Sequence, residues 1–137
     1  MEERGFTVKV FSGRGLEVEV TARSVLLESA VGQLGFYPDH REYIGLLGTG
    51  VVEAESVSGE IVRFVAAGGV CTFRENVLTL LADTVDLPES VDPGVLKQDR
   101  VLLGVELEGL TLFDPEWEVV SQKLARIAAV EDLLQQR

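Results

Sequence analysis

Through the first eighty-odd residues, apolar side chains recur at every second position in short runs broken by glycine. Phe6, Val8 and Val10 alternate with Thr7 and Lys9, and Leu16, Val18 and Val20 alternate with Glu17 and Glu19. A period of two sends one set inward and the other to water, which predicts half-buried strands. Runs over 25–27, 43–47, 51–57, 61–66, 70–73 and 77–81 predict further strands. Ser58-Gly59 and Arg74-Glu75-Asn76 fall between consecutive runs, where tight turns are needed and glycine supplies positive φ. Many short strands at regular spacing predict an antiparallel sandwich or barrel.

The period changes after Pro88. Asp92-Pro93 and Asp114-Pro115 repeat one helix-start signal: the aspartate caps free N–H groups and proline fits the first helical position. The first helix is expected from Pro93 to about Gly109, with Leu96, Leu103, Leu107 and Leu110 on one face and Gly104 weakening it. The second is expected from Pro115 onward, with a stripe of Trp117, Val120, Leu124, Ile127, Val130 or Glu131, and Leu134. The link Leu110-Thr111-Leu112-Phe113 is short enough for an antiparallel hairpin. The expected fold is therefore mainly β with α: an N-terminal antiparallel β-sandwich over residues 1–88 and a C-terminal two-helix hairpin over 89–137. The hairpin has too little core to stand alone, so it must lie on the sandwich, on itself or on a partner.

Composition narrows the function classes. The 137 residues are 46% hydrophobic and 26% charged, as in a globular protein. Acidic side chains outnumber basic ones, 23 to 12, for a net charge of −11. That balance argues against nucleic acid, which a basic patch would have to track, and against attachment to anionic lipid. No apolar run approaches the length of about 20 residues that spans a bilayer, so no direct membrane insertion is expected. The start Met1-Glu2-Glu3-Arg4 does not read as a signal peptide. The single cysteine, Cys71, points to a reducing cytosol.

No catalytic constellation stands out. Cys71 lies in an alternating run beside Val70 and Phe73 and reads as a small buried hydrophobe. His40 follows Pro38-Asp39 and reads as a hydrogen-bonding loop anchor, with no second histidine or cysteine for a zinc site. Ser12, Ser24, Ser56 and Ser58 have no nucleophile-elbow setting, and Gly13-Arg14-Gly15 and Gly48-Thr49-Gly50 extend into no nucleotide-binding fingerprint. No enzyme, metal or cofactor is expected.

Two stretches are more specific than their single residues: Gly32-Gln33-Leu34-Gly35-Phe36-Tyr37-Pro38-Asp39-His40, followed by Leu46-Leu47 and Gly50-Val51-Val52, and Ala67-Gly68-Gly69-Val70, followed by Asn76-Val77-Leu78-Thr79-Leu80-Leu81-Ala82-Asp83-Thr84. In order and spacing they resemble the epsilon subunit of F-type ATP synthases (called delta in mitochondria), with its G-E-[LF]-G-x-x-P-G-H loop, its G-G-x-x-x-V segment and its N-x-V-T-V-L-A-D segment. The resemblance runs from about Phe6 to Glu131. It implies a sandwich followed by a helical hairpin, and a non-catalytic central-stalk subunit at the cytoplasmic face of the cell membrane. The implied partners are the gamma subunit, the c-ring and, when the hairpin extends, the alpha/beta catalytic head, where the hairpin inhibits ATP hydrolysis.

By the same resemblance, Gln33, Phe36, Tyr37, Asp39 and His40 are the expected contacts with the ring or gamma. Gln33 stands where the family has an acidic residue, Asp39 where it has glycine, and Arg41-Glu42-Tyr43 where small apolar residues are usual, which implies co-adaptation with the ring. Some bacterial members hold ATP between the two helices as a regulatory ligand. Asp92 and Arg126 match that pattern, whereas Val95, Leu96 and Gln122 replace its other members, and the loss of positive partners weakens a polyphosphate site. The competing reading is a free-standing acidic sandwich that binds a small ligand or a protein. A stalk subunit should expose a contiguous apolar patch that such a module need not have.

Overall fold

The structure, a computed structural model, describes residues 4–135. The outer ends of the two predicted units, including Met1-Glu2-Glu3, lie outside the described residues. Seven strands come first: β1 (Phe6–Ser12), β2 (Gly15–Ser29), β3 (Gly32–Phe36), β4 (Tyr43–Leu46), β5 (Thr49–Ser56), β6 (Ile61–Arg74) and β7 (Val77–Asp86). A 3-10 turn at Pro88–Ser90 leads into α1 (Pro93–Glu108) and α2 (Pro115–Gln135).

The long strands β2 and β6 each join two of the predicted runs. A register shift between Ala22 and Ser24 lets the first half of β2 pair with β1 and the second half pair with β5 and β3. In β6, Gly68 and Gly69 have φ of +68° and +110° but lie within one continuous strand, whose register with β7 is the same on both sides of them, rather than marking a break between two. A Cβ at Gly69 would meet the Leu81 carbonyl oxygen at 1.9 Å, so no other residue fits there. Gly32 to Phe36, expected as loop, pairs with β2 as a strand. Glycines at its first and fourth positions hide its propensity.

The strands follow the order β1-β7-β6-β5-β2-β3, β1 also pairs with β2, and β4 pairs with β6. Every pairing is antiparallel except one. β1 and β7 run parallel, from Thr7 opposite Val77 to Phe11 opposite Leu81, so the sheet is mostly rather than wholly antiparallel. These two strands open and close the sandwich, and the chain between them is long enough to allow either direction. The core between the layers is built on Phe6, Phe36, Phe64, Phe73, Leu27, Leu78 and Leu80.

The hairpin lies on the sandwich. Val65 faces away from the main core, yet it is fully buried, because Leu96, Ile127, Val130 and Leu133 cover it. Val51 and Val91 pack at the edge of this second cluster. α2 makes the contact with β5 and β6, and α1 lies against α2. In the predicted α2 stripe, Val120, Ile127 and Val130 are buried and Trp117 and Leu124 half-buried. At its end Leu133 takes the buried place expected of Leu134. Asp92 caps α1, accepting from the N–H groups of Gly94 at 2.9 Å and Val95 at 3.3 Å. Asp114 behaves differently: its carboxylate turns back to the link and accepts from the N–H of Thr111 at 2.7 Å and its hydroxyl at 3.3 Å.

Candidate functional site

Tyr37, Pro38, Asp39 and His40 form a tight turn closed by the His40 N–H donating to the Tyr37 carbonyl at 3.1 Å. Proline at the second position and φ of +63° at Asp39 are the marks of a type II turn. The left-handed backbone at position 39 explains why a glycine suits this place and why an aspartate is tolerated. The Asp39 N–H donates to Asn76 Oδ1 at 2.6 Å, and Asn76 Nδ2 donates back to Asp39 Oδ1 at 3.0 Å. Arg4 closes on the other oxygen at 2.5 Å. Thus the turn is bolted to the β6–β7 turn, whose Glu75 and Asn76 both have positive φ.

Of the sequence-selected loop residues, Phe36 is only 1% exposed. It stacks on Phe73 with ring centres 5.7 Å apart and meets His40 at 4.8 Å and Tyr43 at 5.8 Å. It offers no surface to a partner; sequence spacing could not distinguish this inward ring from its neighbour, because β3 was not recognised as a strand. Tyr37, the next residue, is 59% exposed. His40 rests its ring on Phe36 and Phe73, and its Nδ1 lies 2.7 Å from the Arg41 carbonyl oxygen, as a loop anchor does.

Gln33 is not with them. It sits at the opposite end of β3, beside the β2–β3 turn, where Val31 is 90% exposed. There it borders a cleft of about 500 Å³ between the sandwich and α2, with Glu28, Glu53, Thr49, Ala128 and Asp132. The five residues therefore occupy two ends of the sandwich.

The strand registers also build a surface that sequence reasoning missed. On the outer face formed by β4, β6, β7, β1 and β2, Leu46 stands opposite Val70, Val70 opposite Leu81, Leu81 opposite Phe11, and Phe11 opposite Leu16. Five apolar side chains thus line up across five strands, a span of about 19 Å at the usual strand spacing. Leu46, Leu81 and Leu16 are more than half exposed, and Ile44 extends the patch along β4. Ile44 opens the next row, which is otherwise polar: Thr72, Thr79, Lys9 and Glu19. A signal was present in the sequence: Val10-Phe11, Leu46-Leu47 and Leu80-Leu81 each break the alternation with two adjacent apolar residues. In each pair one is buried and the other faces out.

Asp92 and Arg126 do come together, around a cavity of about 230 Å³ that Asp86, Asp99, Leu96 and Val130 also line. Arg126 is held by Asp86. Its Nε donates to Asp86 Oδ2 at 2.7 Å and its Nη2 to Asp86 Oδ1 at 2.6 Å, a bidentate pair. Hydrogen bonding to Asp86 holds the arginine's pKa above its ordinary value against the opposing pull of burial. Three carboxylates surround this one guanidinium, a poor field for a polyphosphate. Among the described residues no group of three or more His, Cys, Asp and Glu side chains is arranged to hold a metal. Nor is any of their helices long and apolar enough to cross a membrane.

Comparison with known proteins decides the family. The profile of the ATP synthase, Delta/Epsilon chain, beta-sandwich domain matches residues 5–88. The chain belongs to the ATP synthase delta/epsilon family. Among its relatives, the ATP synthase epsilon chain of Desulfitobacterium hafniense (strain Y51) is 32% identical over 87 residues, which are 64% of this chain and 65% of that one. The epsilon chain of Streptomyces avermitilis is 31% identical over 88 residues, 64% of this chain and 69% of the other. The chain thus spans 65% of the length of its Desulfitobacterium relative. The same fold is found in solved assemblies. A chain of the Euglena gracilis mitochondrial ATP synthase (OSCP/F1/c-ring, rotational state 1) superposes with a TM-score of 0.79 at 14% identity, covering 98% of this chain and 84% of that one. A chain of the Tetrahymena thermophila mitochondrial ATP synthase central stalk and c-ring superposes with 0.65 at 8% identity, covering 98% and 99%. Both likenesses take in the hairpin as well as the sandwich.

Proposed function

We propose that this chain is the epsilon-type rotor subunit of an F-type ATP synthase, a non-catalytic part that couples rotation of the c-ring, through gamma, to ATP synthesis. The observation that carries this reading is the apolar row Leu46–Val70–Leu81–Phe11–Leu16. An isolated acidic module gains nothing from exposing such a row, whereas a subunit permanently seated on a partner buries it. Gamma is the partner assigned to this face. The β2–β3 turn, with Val31 and Gln33, and the Tyr37–His40 turn lie at opposite ends of the sandwich and are assigned to separate contacts, one of them the c-ring. The setting is peripheral, at the cytoplasmic side of the membrane that holds the ring. The hairpin is the regulatory arm: lying on the sandwich it is withheld from the catalytic head, and inhibition of ATP hydrolysis belongs to an extended arrangement.

The test is reconstitution. Synthase depleted of this chain should hydrolyse ATP without pumping ions into vesicles, and adding the chain back should restore pumping. Full coupling in its absence would overturn the assignment.

A further inference from the structure

β3 lies at an edge of the sheet, with β2 on one side and, among the described residues, no strand on the other. The backbone phase of β2 decides what that edge presents. The Glu28 carbonyl accepts from the Gly48 N–H at 3.0 Å, and the Ala30 N–H donates to the Leu46 carbonyl at 3.0 Å. The even-numbered residues there thus turn away from β3, which leaves Leu27 and Ser29 to bond Leu34 and Gly32 opposite them. Gln33 and Gly35 therefore aim their N–H and C=O groups at the free edge, where no hydrogen bond among the described residues takes them up. Such edges are usually guarded by charge, proline or a bulge. Where β2 pairs with β1 alone it carries Glu17 and Glu19, and on β4 the Leu46 carbonyl is already taken. The run Gly-Gln-Leu-Gly-Phe of β3 has none of these guards. Beside it opens the cleft of about 500 Å³ that Gln33 borders and that Glu28, Glu53 and Asp132 line.

We propose that the β3 edge and this cleft form a docking site for an extended, basic segment of a partner protein, which adds antiparallel to β3 as the next strand. Backbone bonds to Gln33 and Gly35 supply the affinity, and alternate side chains supply the selectivity. Gly35 stands opposite Leu26 and Gln33 opposite Glu28, and Leu26, Glu28 and Gln33 all border the cleft. A partner side chain opposite Gln33 or Gly35 shares that face and enters the cleft, where the carboxylates select lysine or arginine. Glu53 already holds Arg63 at 2.7 Å, so Glu28, on the strand next to β3, is the chief attraction. The partner's intervening side chains fall beside Leu34 and Phe36, which pack on the core, and are apolar. The site uses a strand edge, and neither the apolar row nor the tip of the β2–β3 turn, so it stands apart from the assignments of those surfaces.

The experiment is a titration of the full chain, read by NMR shifts and amide exchange, with a capped peptide of about eight residues that alternates lysine and valine. At saturation the Gln33 and Gly35 amides should exchange at least about tenfold more slowly, while the buried strands β1 and β7 keep their rates. The same peptide N-methylated at the lysine backbone nitrogens keeps its charge but cannot donate to β3. It should bind about tenfold more weakly, the worth of two lost backbone hydrogen bonds. A glutamate–valine peptide should not bind, and Glu28→Gln should weaken the lysine–valine peptide about two- to fivefold. Three results would each overturn the site: no binding of the lysine–valine peptide at millimolar concentration, binding that leaves Gln33 and Gly35 unprotected, or equal binding of the N-methylated peptide. The last two separate strand addition from plain attraction of a cationic peptide to an acidic chain, and the peptide controls need no variant that must fold.

Discussion

Asp39 and Asn76 hold each other through two reciprocal hydrogen bonds of 2.6 and 3.0 Å, and both sit at left-handed backbone positions, with φ of +63° and +58°. The pairing fixes the loop after β3 to the turn after β6, thirty-seven residues away in the chain. Replacing Asn76 with glycine keeps the backbone conformation and removes the side chain. It should cost about 1–2 kcal/mol, the worth of hydrogen bonds that include a charged acceptor, read as a lower urea midpoint at unchanged slope. Asp39→Gly should cost less, because glycine relieves the left-handed position while losing the same bonds.

Cys71 is buried at 1% exposure, and burial pushes its thiol from 9.0 up to about 11. The folded chain therefore keeps the proton that the unfolded chain gives up near pH 9. Stability from this group is complete below that pH and falls as pH rises through about 11. Denaturant midpoints should decline over this window in the native chain and decline less in Cys71→Ala. A thiol reagent at pH 8 should react only as fast as the chain opens.

Because Asp86 already holds the Arg126 fork and Asp92 and Asp99 face the same cavity, ATP with magnesium should leave the melting temperature of the chain unchanged at millimolar concentration. A saturable upward shift would show that the carboxylates give way to phosphate.

Ile127→Ala opens space beneath α2 in the small second cluster. The cost should be about 2–4 kcal/mol against hairpin docking, seen as loss of Trp117 fluorescence change on a first transition, with the sandwich transition unmoved.

Much of this architecture was legible in the residues. The two-period pattern separated strands from helices at Pro88, and Asp92-Pro93 placed the start of α1 where its cap sits. The losses were local in cause. Gly68-Gly69 looked like a break because glycines with positive φ serve turns and also occur inside a continuous strand, and β3 was hidden by Gly32 and Gly35. The parallel pairing of β1 with β7 joins residues about seventy apart, which no window along the chain reads. The same holds for the site. The loop motif drew attention to Phe36, which the fold turns inward, while Leu46, Val70, Leu81, Phe11 and Leu16 become neighbours only through four strand registers.

The central claim is that this apolar row seats gamma, and calorimetric titration of the chain with the gamma subunit of its own source tests it most directly. Wild type should bind in one-to-one ratio. Leu81→Glu, at the centre of the row and half exposed, should weaken binding by at least about a hundredfold, as a charge buried in an interface core does, with a melting temperature close to wild type. Binding of Leu81→Glu as tight as wild type, or no binding of either, would contradict the account.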